Sequence, residues 1–267
     1  MTIDHYNKDS IFHLEYLKNR AIYIMRIPRV FINQKITFSE TISLPEDKAH
    51  HILHVLRLRI GDQIKLFNNS GLEFKAEITE LTKKAVRAQV KDNGQLENDS
   101  PLDITLCLAV SRGPHMDFSI QKAVELGVRM IIPIISEFGN VKLTDNRVDN
   151  KLSHWTKIII GAAEQSGRNR LAELQSPVIF NEWMNSESNV TKLILHPGTE
   201  QTMSKINIQD NKLTLMIGPE GGFSDLEFQT ALENNYIPIS LGPRILRTET
   251  AVVCGLSNAQ QLWGDLN

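Results

Sequence analysis

The rhythm of apolar and polar positions changes near residue 101. Before that point the apolar runs are short and often alternate with period two, the mark of half-buried strands. Strands are expected over Arg29–Ile32, Gln63–Phe67, Leu72–Ile78 and Ala85–Val90. Asn68-Asn69-Ser70-Gly71 is a turn that makes the middle pair a hairpin. Pro45 opens a helical pattern through Leu56, in the first turn where its missing N–H costs nothing. Short strands with one small helix suggest a compact barrel of OB or PUA type. Residues 1–24 read as an N-terminal extension with a short helix around Ser10–Asn19, and Met25 looks like a natural start.

Asp92–Pro101 is polar, contains Gly94 and Pro101, and is the best linker in the chain. Beyond it, Ile104–Val110, Met130–Ile135, Lys192–Leu195, Leu213–Ile217 and Ile237–Leu241 are continuous apolar runs. Such runs suit strands covered on both faces. Helical patterns separate them, over Asp117–Leu126 (ended by Gly127), Asn150–Ser166 (ended by Gly167), Ser224–Asn234 and Thr248–Trp263. Strands alternating with helices imply an α/β fold with a mostly parallel sheet. The expected organisation is an extension over 1–24, a small β domain over 25–95 and an α/β domain over 96–267.

Composition narrows the function classes. The net charge is −2, so bulk electrostatics would not coat nucleic acid with this chain. RNA binding would need a local basic patch and shape. The two cysteines, Cys107 and Cys254, both lie in apolar runs, which fits a reducing cytoplasm better than a disulfide framework. No run approaches a membrane span, and the N-terminus lacks a signal-peptide pattern.

Three segments carry candidate chemistry. Ile217-Gly218-Pro219-Glu220-Gly221-Gly222-Phe223-Ser224 joins a strand to a helix, with Ser224 and Glu227 spaced as a capping box. Its glycines allow a ligand close to the backbone; alone, it is equally a tight strand-to-helix turn. Leu241-Gly242-Pro243-Arg244-Ile245-Leu246-Arg247-Thr248-Glu249-Thr250 repeats that arrangement on the next strand, with two arginines bracketing an apolar pair. Both loops fall where open α/β sheets bind ligands, at the carboxyl ends of strands. Ala162–Arg170 ends a helix in Gly167 and presents Arg168 and Arg170, either as partners of the helix dipole or as an RNA clamp. The chain has no G-x-G-x-x-G, no P-loop and no G-x-S-x-G elbow. His50 and His54 stand one helical turn apart, but no third spaced ligand accompanies them, so no metal is expected.

The strings MRIPRVF, HHILHVLRLRIGD, FSIQKAVELGV, AAEQSGRNR, LMIGPEGGFSDLEF and LGPRILRTETA, collinear from Met25 onward, together resemble the RsmE family of the SPOUT superfamily. The resemblance implies a C-terminal domain tied in a trefoil knot, an N-terminal PUA-like domain, and a homodimer with the active site near the dimer interface. It implies S-adenosylmethionine-dependent methylation of uracil N3 of one specific uridine in 16S ribosomal RNA, on the assembled small subunit in the cytoplasm. A SPOUT enzyme of other specificity and a non-catalytic RNA-binding relative are the competing readings.

Carried onto this chain, the cofactor pocket would be built from Leu195, His196, Gly218, Pro219, Glu220, Gly221, Gly222, Leu241, Gly242, Ile245, Leu246, Arg247 and Thr250. RNA contacts would fall on Arg26, Arg29, Arg57, Arg112, Lys122, Arg168 and Arg170. Arg247 and Arg168 would stabilise the uracil anion, and Glu164 or Glu249 would accept its proton. His54 and His115 depart from the family pattern, standing where Arg or Lys is expected. Ala251, Val252, Leu256 and Leu262 of the last helix would serve the dimer interface or the domain's own core.

Overall fold

The structure is a computed structural model that describes residues 27–82, 85–96, 99–139, 145–185 and 190–266. The expected Ser10–Asn19 helix, the Met25 start and Arg26 lie outside the described residues. The chain divides into two compact units. Of the described residues, one holds Ile27–Val30 with Thr37–Leu66 and those of Phe74–Asn93; the other holds Phe31–Ile36, Phe67–Glu73 and those from Gly94 onward.

A six-stranded sheet, which supplies most strand residues of the first unit, is ordered β1-β3-β4-β5-β2, with β6 beside β4. Its strands are β1 (Arg29–Phe31), β2 (Thr41–Ser43), β3 (Gln63–Phe67), β4 (Leu72–Leu81), β5 (Val86–Val90) and β6 (Gln95–Leu96). β5 pairs antiparallel with both β2 and β4. Its period-two pattern sends Val86, Ala88 and Val90 inward while Arg87 and Gln89 face outward or to the rim. β6 lies inside the expected linker, and β4 runs past Ile78 through a register shift between Ile78 and Glu80. The expected Pro45–Leu56 helix is two pieces: α1 (Glu46–His50) continues into a wider π turn over His51–Leu56. It stops at Arg57, whose φ of 53° is left-handed and lets its N–H reach Ile52 O.

The second unit carries a seven-stranded sheet ordered β10-β8-β7-β12-β11-β13, with β9 beside β8. Its strands are β7 (Asp103–Ala109), β8 (Met130–Ile135), β9 (Glu173–Leu174), β10 (Val178–Ile179), β11 (Thr191–Leu195), β12 (Lys212–Ile217) and β13 (Tyr236–Ile239). All of these pairings are parallel. The helices are α2 (Gly113–Glu125), α3 (Asp145–Ser166), α4 (Phe180–Met184), α5 (Asp225–Glu233) and α6 (Thr248–Trp263). None of the described helices is long and apolar enough to cross a membrane.

The continuous apolar runs have a direct cause: both faces of this sheet are covered. Leu106 and Leu108 of β7 join one buried cluster with Ile120, Trp155, Leu215, Val252 and Leu256. Cys107, between them, joins the opposite cluster with Ile132, Ile194, Met216, Phe180 and Tyr236. Burial pushes the Cys107 thiol and the Tyr236 hydroxyl well above their usual ranges, and Trp183 Nε1 donates to Tyr236 Oη at 2.8 Å. Cys107 is thus a packed, protonated thiol.

The helix boundaries differ from expectation at their N-termini. α2 begins at Gly113, four residues early, with Pro114 in its first turn. α3 begins at Asp145, inside a polar stretch whose hydrophobic periodicity is weak. Val252 and Leu256 of α6 are fully buried in their own unit, so they belong to its core and not to a dimer interface. Burying each contributes about 1.5–3 kcal/mol. Leu262 is 44% exposed.

Candidate active site

The sheet order puts β12, β11 and β13 side by side and parallel, so their carboxyl ends share one edge. The three loops leaving that edge close around a cavity of about 390 Å³, within the size range of small-molecule sites. Leu195, His196 and Pro197 line it after β11; Ile217 to Phe223 line it after β12; Ile239 to Gly242 and Arg244 to Leu246 line it after β13. Thr248 and Ala251 of α6 complete the wall.

Each loop is fixed by local bonds. His196 N–H donates to Ile239 O at 3.0 Å, and the His196 ring stacks on Phe228 with centroids 3.8 Å apart. After β12, Gly222 N–H donates to Pro219 O at 2.9 Å, closing a tight turn. Gly222 takes a φ of 73°, where a side chain would strain the backbone. Ser224 and Glu227 then form the expected capping box. Glu227 does more: its Oε2 accepts from Ser224 N–H at 2.9 Å and its Oε1 from Glu137 N–H at 2.8 Å. A buried carboxylate thus ties the glycine loop to the segment following β8. After β13, Ser240 Oγ accepts from Gly242 N–H at 3.1 Å and donates to Gly242 O at 3.0 Å. Thr248 Oγ donates to Gly218 O at 3.2 Å, joining the start of α6 to the glycine loop.

Two of the glycines are packed against aromatic neighbours where a side chain would crowd the loop. A Cβ on Gly221 would stand 3.1 Å from Phe138 Cβ, and one on Gly218 would stand 3.2 Å from the Phe223 ring. The cavity is lined by the apolar side chains of Leu195, Ile217, Ile239, Leu241, Leu246 and Ala251, by the glycine loop, and by two charged residues, Glu220 and Arg244. An adenosine with a zwitterionic tail suits that lining.

Of the cofactor residues expected from sequence, Leu195, His196, Gly218 to Gly222, Leu241, Gly242, Ile245 and Leu246 are brought together around this cavity. Arg247 and Thr250 are exposed and outside its lining. Arg247 precedes the first turn of α6, and its guanidinium has no partner among the described residues.

Two expected catalytic groups are otherwise engaged. Arg168 is 8% exposed, and its Nη1 donates to Val124 O at 3.1 Å and Val128 O at 2.8 Å. That clamps the end of α2, so Arg168 does not present a free guanidinium to a base or phosphate. Glu164 accepts the Phe31 N–H at 3.0 Å, which commits one of its oxygens to structure. Arg170 donates to the carbonyls of Asn69 and Ser70, and Arg168 and Arg170 share Asp99 at 3.8 and 3.6 Å.

The other expected RNA contacts separate by environment. Arg112 is exposed at the start of α2. Lys122 is paired with Glu125 at 2.8 Å. In the first unit Arg57 is exposed and Arg29 is half-buried. The His50 and His54 rings meet at a tilt, with centroids 4.5 Å apart. His115 pairs with Glu249, Nδ1 to Oε1, at 3.0 Å. Sequence reasoning missed Thr248, Ser240, Phe228 and Phe138 as builders of the site, and gave Glu227 only its capping role. The capping-box spacing was the one signal that could have pointed to Glu227.

Comparison with known proteins agrees with this geometry. The RNA methyltransferase domain family matches residues 98–260, and the RNA methyltransferase PUA domain matches residues 44–91. The ribosomal RNA small subunit methyltransferase E of Buchnera aphidicola from Schizaphis graminum is 38% identical, over 91% of this chain and 99% of its own. A methyltransferase of Legionella pneumophila, solved in complex with bound SAM, superposes with a TM-score of 0.87 at 38% identity, covering 90% of this chain and 100% of its own. The ribosomal RNA small subunit methyltransferase E of Neisseria gonorrhoeae, bound to S-adenosylmethionine, gives 0.85 at 37% identity, covering 91% and 100%. With matches of this extent in both units, the chain belongs to the ribosomal RNA small subunit methyltransferase E family, RsmE.

Proposed function

We propose that this protein uses S-adenosylmethionine to methylate N3 of one specific uridine in 16S ribosomal RNA, on the assembled small subunit. The observation that carries this reading is the cavity at the β11, β12 and β13 edge: its size, apolar lining and glycine loop fit the cofactor. Glu220 and Arg244 offer opposite charges for the amino and carboxylate groups of its methionine tail. The relatives from Legionella and Neisseria were solved with that molecule bound.

When bound, S-adenosylmethionine supplies an electrophilic methyl group on sulfur. The chain's own residues then have three tasks. The loops hold the methyl donor in one orientation, which is catalysis by alignment. Thr248 and Glu227 keep those loops in place. Arg247, exposed beside the cavity and without a side-chain partner among the described residues, stabilises negative charge on the uracil oxygens as N3 loses its proton. We assign that role to Arg247 alone, because Arg168 is committed to the carbonyls of Val124 and Val128.

N3 lies on the pairing edge of uracil, so the target must be unpaired or extruded. The net charge of −2 favours a shaped target over indiscriminate RNA binding. Arg112 and Arg57, both exposed, are the RNA contacts this reading retains most directly. The working form is a cytoplasmic homodimer whose methyltransferase domain is knotted, as the SPOUT resemblance implies. Transfer of labelled methyl from S-adenosylmethionine to unmodified small subunits, free 16S RNA and tRNA tests the reading. Label is expected in the small subunits above all. Label in tRNA alone would establish another specificity, and no label would favour a non-catalytic RNA-binding protein.

A further inference from the structure

We infer that His115, held by Glu249, accepts the N3 proton of the target uracil; this rests on the function proposed above. Uracil N3 carries a proton and is a poor nucleophile until it is lost, so a base must stand at the methyl-transfer end of the site.

The fold brings the pair to the sheet edge that carries the cavity. β7 and β12 are parallel neighbours, so the chain leaves both at the same sheet edge. The segment after β12 is the glycine loop of the cavity, and the segment after β7 leads into α2, whose first turn carries His115. Glu249 follows Thr248, which lines the cavity and bonds to Gly218 O. The two elements meet through the 3.0 Å contact between His115 Nδ1 and Glu249 Oε1.

The pair has the form of an oriented base. Glu249 fixes the proton of the neutral imidazole on Nδ1, which leaves the Nε2 lone pair as the acceptor. The His115 side chain is 41% exposed and reachable by a large substrate, while Glu249 is 17% exposed. Glu249 Oε2 is buried with no hydrogen-bond partner among the described residues. A buried, unsatisfied carboxylate oxygen is costly, and such costs concentrate where function requires them. The other charged groups on these two turns are Arg112, Asp117 and Arg247. Asp117 is engaged by His154 at 2.8 Å, so it does not compete for His115.

In the step, the uracil N3–H bond breaks and its electron pair stays on the ring, spread toward O2 and O4. The proton bonds to His115 Nε2, and Glu249 balances the imidazolium charge. Solvent then takes the proton from the exposed ring. Glu249 touches no reacting atom and is a positioning residue.

The test compares wild type, His115→Ala, His115→Gln and Glu249→Gln on small subunits carrying either uridine or the more acidic 5-fluorouridine. His115→Ala and His115→Gln are expected to lower kcat by about 10²-fold or more, with the KM for S-adenosylmethionine unchanged. The deficit narrows on 5-fluorouridine, and added imidazole partly restores His115→Ala. Glu249→Gln shows a smaller deficit that narrows in the same way. Calorimetric affinity for S-adenosylmethionine and thermal unfolding stay at wild-type values in His115→Gln. A wild-type rate in both His115 variants overturns the inference, as does a deficit equal on both RNAs and insensitive to imidazole. Failure of the underlying function shows separately, in a wild type that makes no 3-methyluridine, and takes this inference with it.

Discussion

Glu227 is the most consequential single side chain for the shape of the pocket, although it does not line it. Its two oxygens receive the N–H groups of Ser224 and Glu137 at 2.9 and 2.8 Å, and the residue is 7% exposed. Glu227→Ala leaves the buried Ser224 N–H and the partly buried Glu137 N–H without their acceptor and empties the space of the carboxylate. Leaving a buried donor unsatisfied costs about 1–3 kcal/mol. One full loss at Ser224 and a smaller one at Glu137, which solvent can reach, come to roughly 2–4 kcal/mol. For a unit of this size that is a fall in unfolding midpoint on the order of 10 °C. Glu227→Gln keeps one acceptor and turns an N–H toward the other donor, so it should cost about half as much. In both variants the glycine loop must be ordered by the ligand. If that ordering takes about 1.4 kcal/mol of the binding free energy, affinity for S-adenosylmethionine falls tenfold. Thermal unfolding followed by circular dichroism and calorimetric titration measure the two effects. A Glu227→Ala protein within about 1 kcal/mol of wild type, or with unchanged affinity, would refute the reasoning.

Arg247→Ala should lower turnover by about 10²–10³-fold with little change in S-adenosylmethionine affinity, measured by single-turnover methyl transfer and calorimetry; equal losses in both would make it a cofactor ligand instead. Gly221→Val should abolish detectable cofactor binding by calorimetry while the protein stays folded, because even a Cβ there stands 3.1 Å from Phe138. Arg168→Met should destabilise the protein by roughly 3–5 kcal/mol in denaturant unfolding, since two carbonyls and Asp99 lose a buried cation. The folded Arg168→Met protein should bind RNA with wild-type affinity in a filter assay; a selective loss of RNA binding would restore Arg168 as an RNA contact.

The parts of the fold visible in sequence are those with a strong local cause. β7, β8 and β12 announce themselves because both sheet faces are covered, which leaves Thr105 and Thr214 as the polar residues within otherwise apolar runs. β2, β6, β9 and β10 have two or three residues each, too few for any period to show. The start of α2 was missed because Arg112-Gly113-Pro114 reads as a turn, whereas Pro114 is tolerated in the first helical turn. The break in α1 after His50 has no signal in its composition; it follows from the left-handed Arg57 that ends the π turn.

The candidate site shows the same division. The two glycine-containing loops were legible because each lies between a strand and a helix, and the parallel sheet order gathers them at one edge. Arg168, Arg170 and Glu164 were misjudged for a common reason. A charged side chain in the last turn of a helix or just after it looks free in sequence, while its partners here are backbone groups distant in the chain: Val128, Asn69 and Phe31. Asn169, 2% exposed and donating to Gly71 O, shows that this segment is a structural lock. The His115–Glu249 contact was equally invisible, since it spans α2 and α6.

The central claim, that this pocket serves transfer of a methyl group to N3 of uridine, is tested most directly by nucleoside mass spectrometry. Small subunits from a strain lacking the modification are incubated with the protein and S-adenosylmethionine, and the RNA is digested. The account predicts 3-methyluridine at a single position, absent when Gly221→Val protein is used. A methyl group on another atom, on a ribose hydroxyl, or none at all would contradict it.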